Sequence, residues 1–106
     1  MTKTIRSMAV LAATVSLAGS MSFAQSAGAA TYKAKCQMCH GATGAADTPT
    51  AKMLKVLPLA SPEMKKLTEA EMIKATTDGK AKMPAFKGKL TDAQIKDAVV
   101  YFRGLK

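Results

Sequence analysis

Two thiols and an imidazole lie within five residues of the chain, where residues 36–40 read Cys-Gln-Met-Cys-His. Cys36 and Cys39 are three positions apart, so on a helical turn their side chains lie close together. Each thiol could add across one vinyl group of a porphyrin, and His40 would then fall beneath the iron as a nitrogen ligand. A Cys-x-x-Cys-His run is typical of covalent c-type haem attachment. We therefore predict that Cys36, Cys39 and His40 hold one haem c through two thioether bonds.

The small number of reactive side chains excludes the main alternatives for this run. The chain has two Cys and one His among its 106 residues. A structural zinc site needs four ligands, and the run supplies three. A redox-active dithiol usually lies near a βαβ pattern, which the sequence lacks. The single histidine also excludes an iron site with two histidine ligands from one subunit.

The second axial position of the iron must therefore hold Met, Lys, another group or water, or stay empty. The methionines after residue 24 are the candidates that we compare. They are Met38, Met53, Met64, Met72 and Met83. Met38 lies inside the attachment turn, and Met72 falls on an apolar helical stripe, where methionine usually fills a core. Met83 instead precedes Pro84, which restricts the backbone of Met83 to an extended conformation. A stiff loop can hold a weak thioether ligand, so we predict Met83, with a buried loop anchor as the alternative.

Residues 1–24 are predicted to be a cleaved secretory signal peptide. Lys3 and Arg6 form a positive start, residues 8–18 are small and apolar, and the cut follows Ala24. The apolar stretch is shorter than the roughly 20 residues that span a bilayer. Residues 25–106 would then be one exported, periplasmic domain. That domain keeps all the basic residues except Lys3 and Arg6, which leaves a net charge of +7.

The spacing of apolar and capping residues predicts an all-α fold of about four short helices. One helix is expected over residues 27–39 and a weaker one over 50–56. Capping boxes at residues 68–71 and 91–94 begin the other two, because a Thr is followed three positions later by Glu or Gln. After the second box, apolar residues follow at helical spacing and form one buried stripe. They are Ile95, Ala98, Val99, Phe102 and Leu105.

Together with the haem run, three further stretches make the sequence resemble the small bacterial class I c-type cytochromes. They are Tyr-Lys-Ala-Lys at residues 32–35, Lys-Met-Pro-Ala-Phe at 82–86 and Leu-Thr-Asp at 90–92. The resemblance covers most of the chain after the signal. It implies a class I cytochrome c fold wrapped round one covalently attached haem, His40 and Met83 as axial ligands, and electron transfer as the function.

The resemblance also implies two contacts that support the site. A proline carbonyl accepts a hydrogen bond from the ligand histidine in this family, and Pro49 is the match here, with an ordinary helix-start proline as the alternative. The first and last helices touch in the family. We therefore expect Gly28 and Tyr32 to meet the last helix near Val99 or Phe102.

Four lysines surround the predicted second ligand in the sequence, at positions 80, 82, 87 and 89. We expect them to form a docking surface for acidic redox proteins, including membrane-bound oxidoreductases, through charge steering. A solvated surface that keeps the protein soluble is the alternative. No nucleic-acid motif is present, no membrane span is expected, and we expect a monomer.

The function predicted from these residues is that of a periplasmic one-electron carrier rather than an enzyme. The rival functions are a peroxidase-like haem enzyme and a gas-binding sensor. Both need an open or labile sixth position on the iron. An enzyme also needs a distal acid or base, and no second histidine exists to serve as one.

Overall fold

The computed structural model describes residues 20–105, with side chains from residue 27 onward. Six helices follow one another: α1 Ser20–Lys35, α2 Gln37–His40, α3 Pro49–Leu54, α4 Pro62–Lys65, α5 Glu69–Asp78 and α6 Asp92–Arg103. Between residues 20 and 105 there are no strands, only two isolated bridges at Lys80–Met83 and Lys87–Leu90. The predicted all-α class is therefore confirmed. Most of the predicted signal peptide lies outside the described residues, and its cut would fall inside α1.

Both predicted capping boxes are formed. The Thr68 hydroxyl accepts the N–H of Glu71 at 3.1 Å, and the Glu71 carboxylate accepts the N–H of Thr68 at 2.7 Å. Thr91 and Gln94 make the same reciprocal pair at 3.1 and 2.9 Å. Each box satisfies two N–H groups that a helix start otherwise leaves without partners. The sequence therefore fixes where α5 and α6 begin.

The first half of the chain differs from the prediction in two places. The helix expected over 27–39 is broken at Cys36, whose φ of −118° departs from helical values, and α2 resumes at Gln37. The helix expected over 50–56 begins at Pro49 and ends at Leu54, because φ turns positive at the next residue, Lys55. The break at Cys36 separates the haem-attachment turn from α1, so this turn is a separate short element.

A further short helix, α4, lies outside the four helices that the sequence predicts. The hydroxyl of Ser61 accepts the N–H of Met64 at 3.3 Å, and Pro62 occupies the first helical position. Proline suits that position because its missing N–H would have no helical partner there. The Ser-Pro pair was therefore a signal that could have placed this turn.

The first and last helices pack against each other. A Cβ on Gly28 would lie 2.9 Å from the carbonyl carbon of Asp97 and 3.2 Å from Cβ of Tyr101, so only glycine allows this approach. The Tyr32 ring lies 5.4 Å from the Tyr101 ring and 5.8 Å from the Phe102 ring. The expected contact between Tyr32 and Phe102 is thus confirmed. Gly28 meets Asp97 and Tyr101, which lie two residues before and two residues after Val99.

An apolar core joins this helix pair to α5 and to the loop that follows it. Its members are Tyr32, Met72, Phe86, Ile95, Val99 and Phe102. Cys36 and Met83 are partly buried and pack against it. Within residues 20–105, none of the helices is both long enough and apolar enough to cross a bilayer. The core thus lies next to Cys36, in the predicted attachment turn, and next to Met83, the predicted second ligand.

Candidate functional site

The attachment turn brings the two thiols together. The N–H groups of Cys39 and His40 donate to the carbonyl of Cys36 at 3.1 and 2.9 Å, which closes a single tight turn. Both thiols are free and half-buried. Burial, with a smaller contribution from the neighbouring Cys39, raises the pKa of the Cys36 thiol to about 11. The turn therefore presents two free thiols rather than a disulfide, and the thiol of Cys36 is protonated at neutral pH.

His40 ends this turn as a neutral, largely buried imidazole. Burial lowers its pKa below the ordinary value of 6.5, because the charged form loses its hydration. The Nδ1 atom is buried and has no hydrogen-bond partner in the part of the chain that the structure describes. The expected bond to the carbonyl of Pro49 is therefore not formed, and Pro49 acts as the first residue of α3. A neutral imidazole is the form of histidine that binds metals.

Three hydrogen bonds hold the backbone on both sides of His40. The hydroxyl of Tyr32 donates to the carbonyl of Gly41 at 2.6 Å. The hydroxyl of Thr48 donates to the carbonyl of Met38 at 2.7 Å. The N–H of Ala46 donates to the carbonyl of His40 itself at 2.9 Å. The attachment turn is thus tied both to α1 and to the start of α3.

The loop that carries Met83 is fixed by backbone bonds. Lys80 and Met83 exchange two N–H to carbonyl bonds, at 3.1 and 2.9 Å, around a turn in which Ala81 has a φ of 53°. The N–H of Phe86 then donates to the carbonyl of Thr76 at 3.0 Å, which ties the loop to the end of α5. The thioether of Met83 is therefore held on a constrained segment, half-buried against the core.

The other methionines lie in different surroundings. Met38 and Met53 are each 71% exposed, and Met72 is 7% exposed in the core, as its helical position predicted. Met64 and Met72 border a cavity of about 360 Å³ that Gly44, Leu59 and Leu67 also line. Neither Met83 nor the residues of the attachment turn line this cavity.

The donor set of the attachment turn fits haem and does not fit zinc. Between residues 20 and 105, no group of three or more His, Cys, Asp or Glu side chains is placed to hold a metal ion. Two free thiols and one neutral imidazole instead match two thioether bonds and one iron ligand. These are the groups that covalent haem attachment requires.

Comparison with known proteins agrees with this chemistry. The profile of the family described as cytochrome c oxidase, cbb3-type, subunit III matches residues 23–102. The chain is 40% identical to cytochrome c6 of Leptolyngbya boryana over 75 residues, which cover 71% of this chain and 85% of that protein. The chain belongs to the c-type cytochromes. Covalently bound haem c is accordingly the cofactor of this cytochrome.

Other relatives support the same assignment. The cytochrome is 35% identical to cytochrome c6 of a Picosynechococcus species, over 84% of this chain and 81% of that protein. A solved structure described as the KustC0563 c-type cytochrome superposes with a TM-score of 0.67 at 31% identity. That match covers 74% of this cytochrome and 96% of the solved chain. Sequence and fold therefore lead to the same family.

Sequence reasoning missed three contacts of the site. It did not find the Tyr32–Gly41 bond, the Thr48–Met38 bond, or the 5.0 Å approach of the Phe102 ring to the His40 ring. Tyr32 and Phe102 were recognised only as packing residues. No local motif marks such contacts, because each joins two elements that the fold brings together.

Proposed function

We propose that this cytochrome is a soluble, periplasmic one-electron carrier. Cys36 and Cys39 would hold its haem through thioether bonds, and His40 and Met83 would be the two ligands of the iron. The observation that carries the proposal is the neutral imidazole of His40, with its buried and unpaired Nδ1, on the same turn as two free thiols. The likeness to two cytochromes c6 supports the carrier role.

The chain's own residues have separate tasks in this proposal. Haem, when bound, supplies an iron that takes up and releases one electron. Cys36 and Cys39 fix the ring covalently, so the cofactor cannot be lost during cycling. His40 is already uncharged, so no proton has to leave before it binds a metal. Phe102 packs against the imidazole and excludes water from that side.

Met83 would complete the coordination from the loop after α5. A thioether is a weak ligand, and the paired bonds with Lys80 together with the Phe86–Thr76 bond keep its loop in one conformation. Ligation by Met and His raises the reduction potential relative to other ligand sets. A ligand that stays bound in both oxidation states also leaves little to rearrange when an electron moves.

A six-coordinate iron separates a carrier from the rival haem enzyme or gas sensor. The haem-loaded protein should have low-spin visible spectra, oxidised and reduced, that carbon monoxide does not change. Met83→Ala should open the sixth position, so that carbon monoxide binds readily. Met53→Ala is the matched control, because that side chain is 71% exposed. Ready carbon monoxide binding by the unmodified protein would contradict the carrier proposal.

Covalent attachment has its own test. Mass spectrometry of protein expressed with haem-attachment machinery should show one porphyrin adduct on the chain. Cys36→Ser combined with Cys39→Ser should abolish the adduct and the haem absorbance. The same measurement locates the new N-terminus, which we expect at Gln25. The bare peptide mass under conditions where other c-type cytochromes mature would overturn the proposal.

The partners that we propose are redox proteins with acidic docking surfaces, including membrane-bound oxidoreductases. Lys80, Lys82, Lys87 and Lys89 are all exposed and flank Met83 along the chain. A positive surface next to the cofactor would attract an acidic partner and orient it for electron transfer. Such steering is screened by salt, so the association rate should fall steeply as ionic strength rises.

A further inference from the structure

The carbonyls on either side of His40 are each held by a side-chain hydroxyl. Tyr32 donates to Gly41, directly after the histidine, at 2.6 Å. Thr48 donates to Met38, two residues before it, at 2.7 Å. Neither hydroxyl belongs to the haem-attachment run or to the methionine loop. Both act on the short backbone segment that presents the imidazole.

The hydroxyl of Tyr32 has little freedom to move. The side chain is 2% exposed, and its ring packs against those of Tyr101 and Phe102. Burial is also the main factor that raises the pKa of this hydroxyl above its ordinary value, so it stays a donor. Gly41 is buried as well, so no solvent can replace the bond. The Tyr32–Gly41 hydrogen bond therefore holds the backbone next to His40 in a fixed position relative to α1.

The hydroxyl of Thr48 takes part in two hydrogen bonds. It donates to Met38 and at the same time accepts the N–H of Ala51 at 3.0 Å. The carbonyl of Thr48 also accepts the N–H of Lys52 at 3.1 Å, as the first bond of α3. The attachment turn is therefore tied to the start of a second helix.

The imidazole has no hydrogen bond of its own to set its orientation. Among the side chains described, from residue 27 to 105, its buried Nδ1 has no hydrogen-bond partner, and Phe102 supplies the one aromatic ring packed on it. The direction of the ring therefore depends on the backbone from which it projects. That backbone is held by the two hydroxyls together with the Ala46–His40 bond.

We propose that Tyr32 and Thr48 are positioning residues that set the orientation of His40 and, through it, the reduction potential of the haem. This inference rests on the proposed role of His40 as an iron ligand. Loss of the Tyr32 hydroxyl leaves the Gly41 carbonyl with only the longer bond from the N–H of Gly44, at 3.3 Å. A carbonyl that has lost its shorter bond can accept the ring N–H of His40, and a stronger acceptor makes the imidazole more basic. A more basic ligand favours ferric iron, so the potential falls.

The test compares matched variants of the haem-loaded protein. Tyr32→Phe removes only the hydroxyl, and Tyr101→Phe is its control, because that ring packs against Tyr32. Thr48→Val removes the bond to Met38 together with the helix cap. Thr68→Val is the control for the cap, because the Thr68 hydroxyl caps α5 by accepting the N–H of Glu71. Thr48→Ser keeps both bonds.

The readouts are the midpoint potential, the paramagnetically shifted proton resonances of the His40 ring in the ferric state, and the melting temperature. We expect Tyr32→Phe to lower the potential and Thr48→Val to shift it, with displaced ring resonances in both. The two controls and Thr48→Ser should keep the potential and resonances of the unmodified protein. A lower melting temperature in Tyr32→Phe and Thr48→Val with unchanged potential and resonances would overturn the inference. Absence of His40 ligation in the unmodified protein would instead overturn the proposed function.

Discussion

The ring of Phe102 lies 5.0 Å from the ring of His40, and the two planes meet at 57°. The same phenylalanine stacks on Tyr32 at 5.8 Å, with 20° between the rings. Its side chain is 8% exposed and belongs to the last turn of α6. One residue near the end of the described chain thus joins the first helix to the attachment turn.

Replacement of Phe102 by alanine should destabilise the protein strongly. Removal of a buried aromatic ring costs about 3–5 kcal/mol, through lost burial and the cavity that remains. Guanidinium unfolding of the haem-loaded protein measures the loss. Val100→Ala is the control on the same helix, because Val100 is 44% exposed and should change stability by less than about 0.5 kcal/mol. Equal losses in the two variants would contradict the bridging role of Phe102.

Gly28→Ala should destabilise the protein, although alanine is the better helix former. At an unconstrained helical site this change stabilises by about 0.4–1 kcal/mol. Here the added Cβ would lie 2.9 Å from the carbonyl carbon of Asp97, which is backbone and cannot turn aside. We expect a loss of about 1–3 kcal/mol from overpacking. Thermal melting measures it.

Gly104→Ala is the matched control for that change. A Cβ at Gly104 would lie 3.5 Å from the nearest atom, the carbonyl oxygen of Tyr101, which is an ordinary contact. Its φ of −84° also suits any residue. The melting temperature should therefore stay close to that of the unmodified protein. A stabilising effect of Gly28→Ala would show that α1 and α6 are not packed as described.

The stability of the protein should fall as the pH drops below the ordinary pKa of histidine. Burial lowers the pKa of His40 below 6.5, so the unfolded chain takes up a proton at a higher pH than the folded one. The contribution of His40 to the free energy of unfolding is then fully present above about pH 6.5. It decreases as the pH falls toward the folded-state pKa, by at most about 1.4 kcal/mol per pH unit for one proton. Iron bound to the imidazole would also favour its uncharged form, and so would lower the folded-state pKa of His40 further.

Guanidinium unfolding between about pH 8 and pH 5 measures this effect, because histidine is the only side chain with an ordinary pKa in that range. The chain has one histidine, so the slope reports His40. A flat profile, or stability that rises as the pH falls, would contradict a buried neutral imidazole.

The lysines near Met83 should control reactions with charged electron acceptors. Lys82→Gln combined with Lys87→Gln removes two exposed charges there. Lys65→Gln combined with Lys66→Gln removes two exposed charges at the C-terminal end of α4. Stopped-flow oxidation by anionic ferricyanide should slow several-fold in the first pair at low ionic strength and much less in the second. Oxidation by the cation tris(phenanthroline)cobalt(III) should change in the opposite direction. Equal effects of the two pairs would show that electrons do not leave near Met83.

The sequence predicted those parts of the fold that depend on neighbouring residues. The capping boxes at Thr68 and Thr91 are local hydrogen-bond patterns, and both form as expected. Helix α4 was missed, although Ser61 and Pro62 are a similar local signal for the start of a helix. The helix has only four residues, so no apolar periodicity accompanies that signal.

The contacts of the candidate site were harder to predict. The Tyr32 hydroxyl finds the Gly41 carbonyl only because the chain turns at Cys36, and no spacing rule gives that turn. The expected acceptor at Pro49 was wrong for a similar reason, since the position of one carbonyl relative to one ring depends on the whole intervening loop. The chemistry of a short motif such as residues 36–40 can thus be predicted from the sequence. The groups that orient its side chains are found only in the three-dimensional structure.

The close approach of Gly28 to α6 also bears on the order in which the polypeptide matures. That approach joins segments from opposite ends of the described chain, so it forms only after a large loop has closed, which is entropically costly and slow. The attachment turn, by contrast, needs only a handful of consecutive residues. The geometry that the two thiols need can therefore form while the rest of the chain is still open, before the contact between the two helices closes.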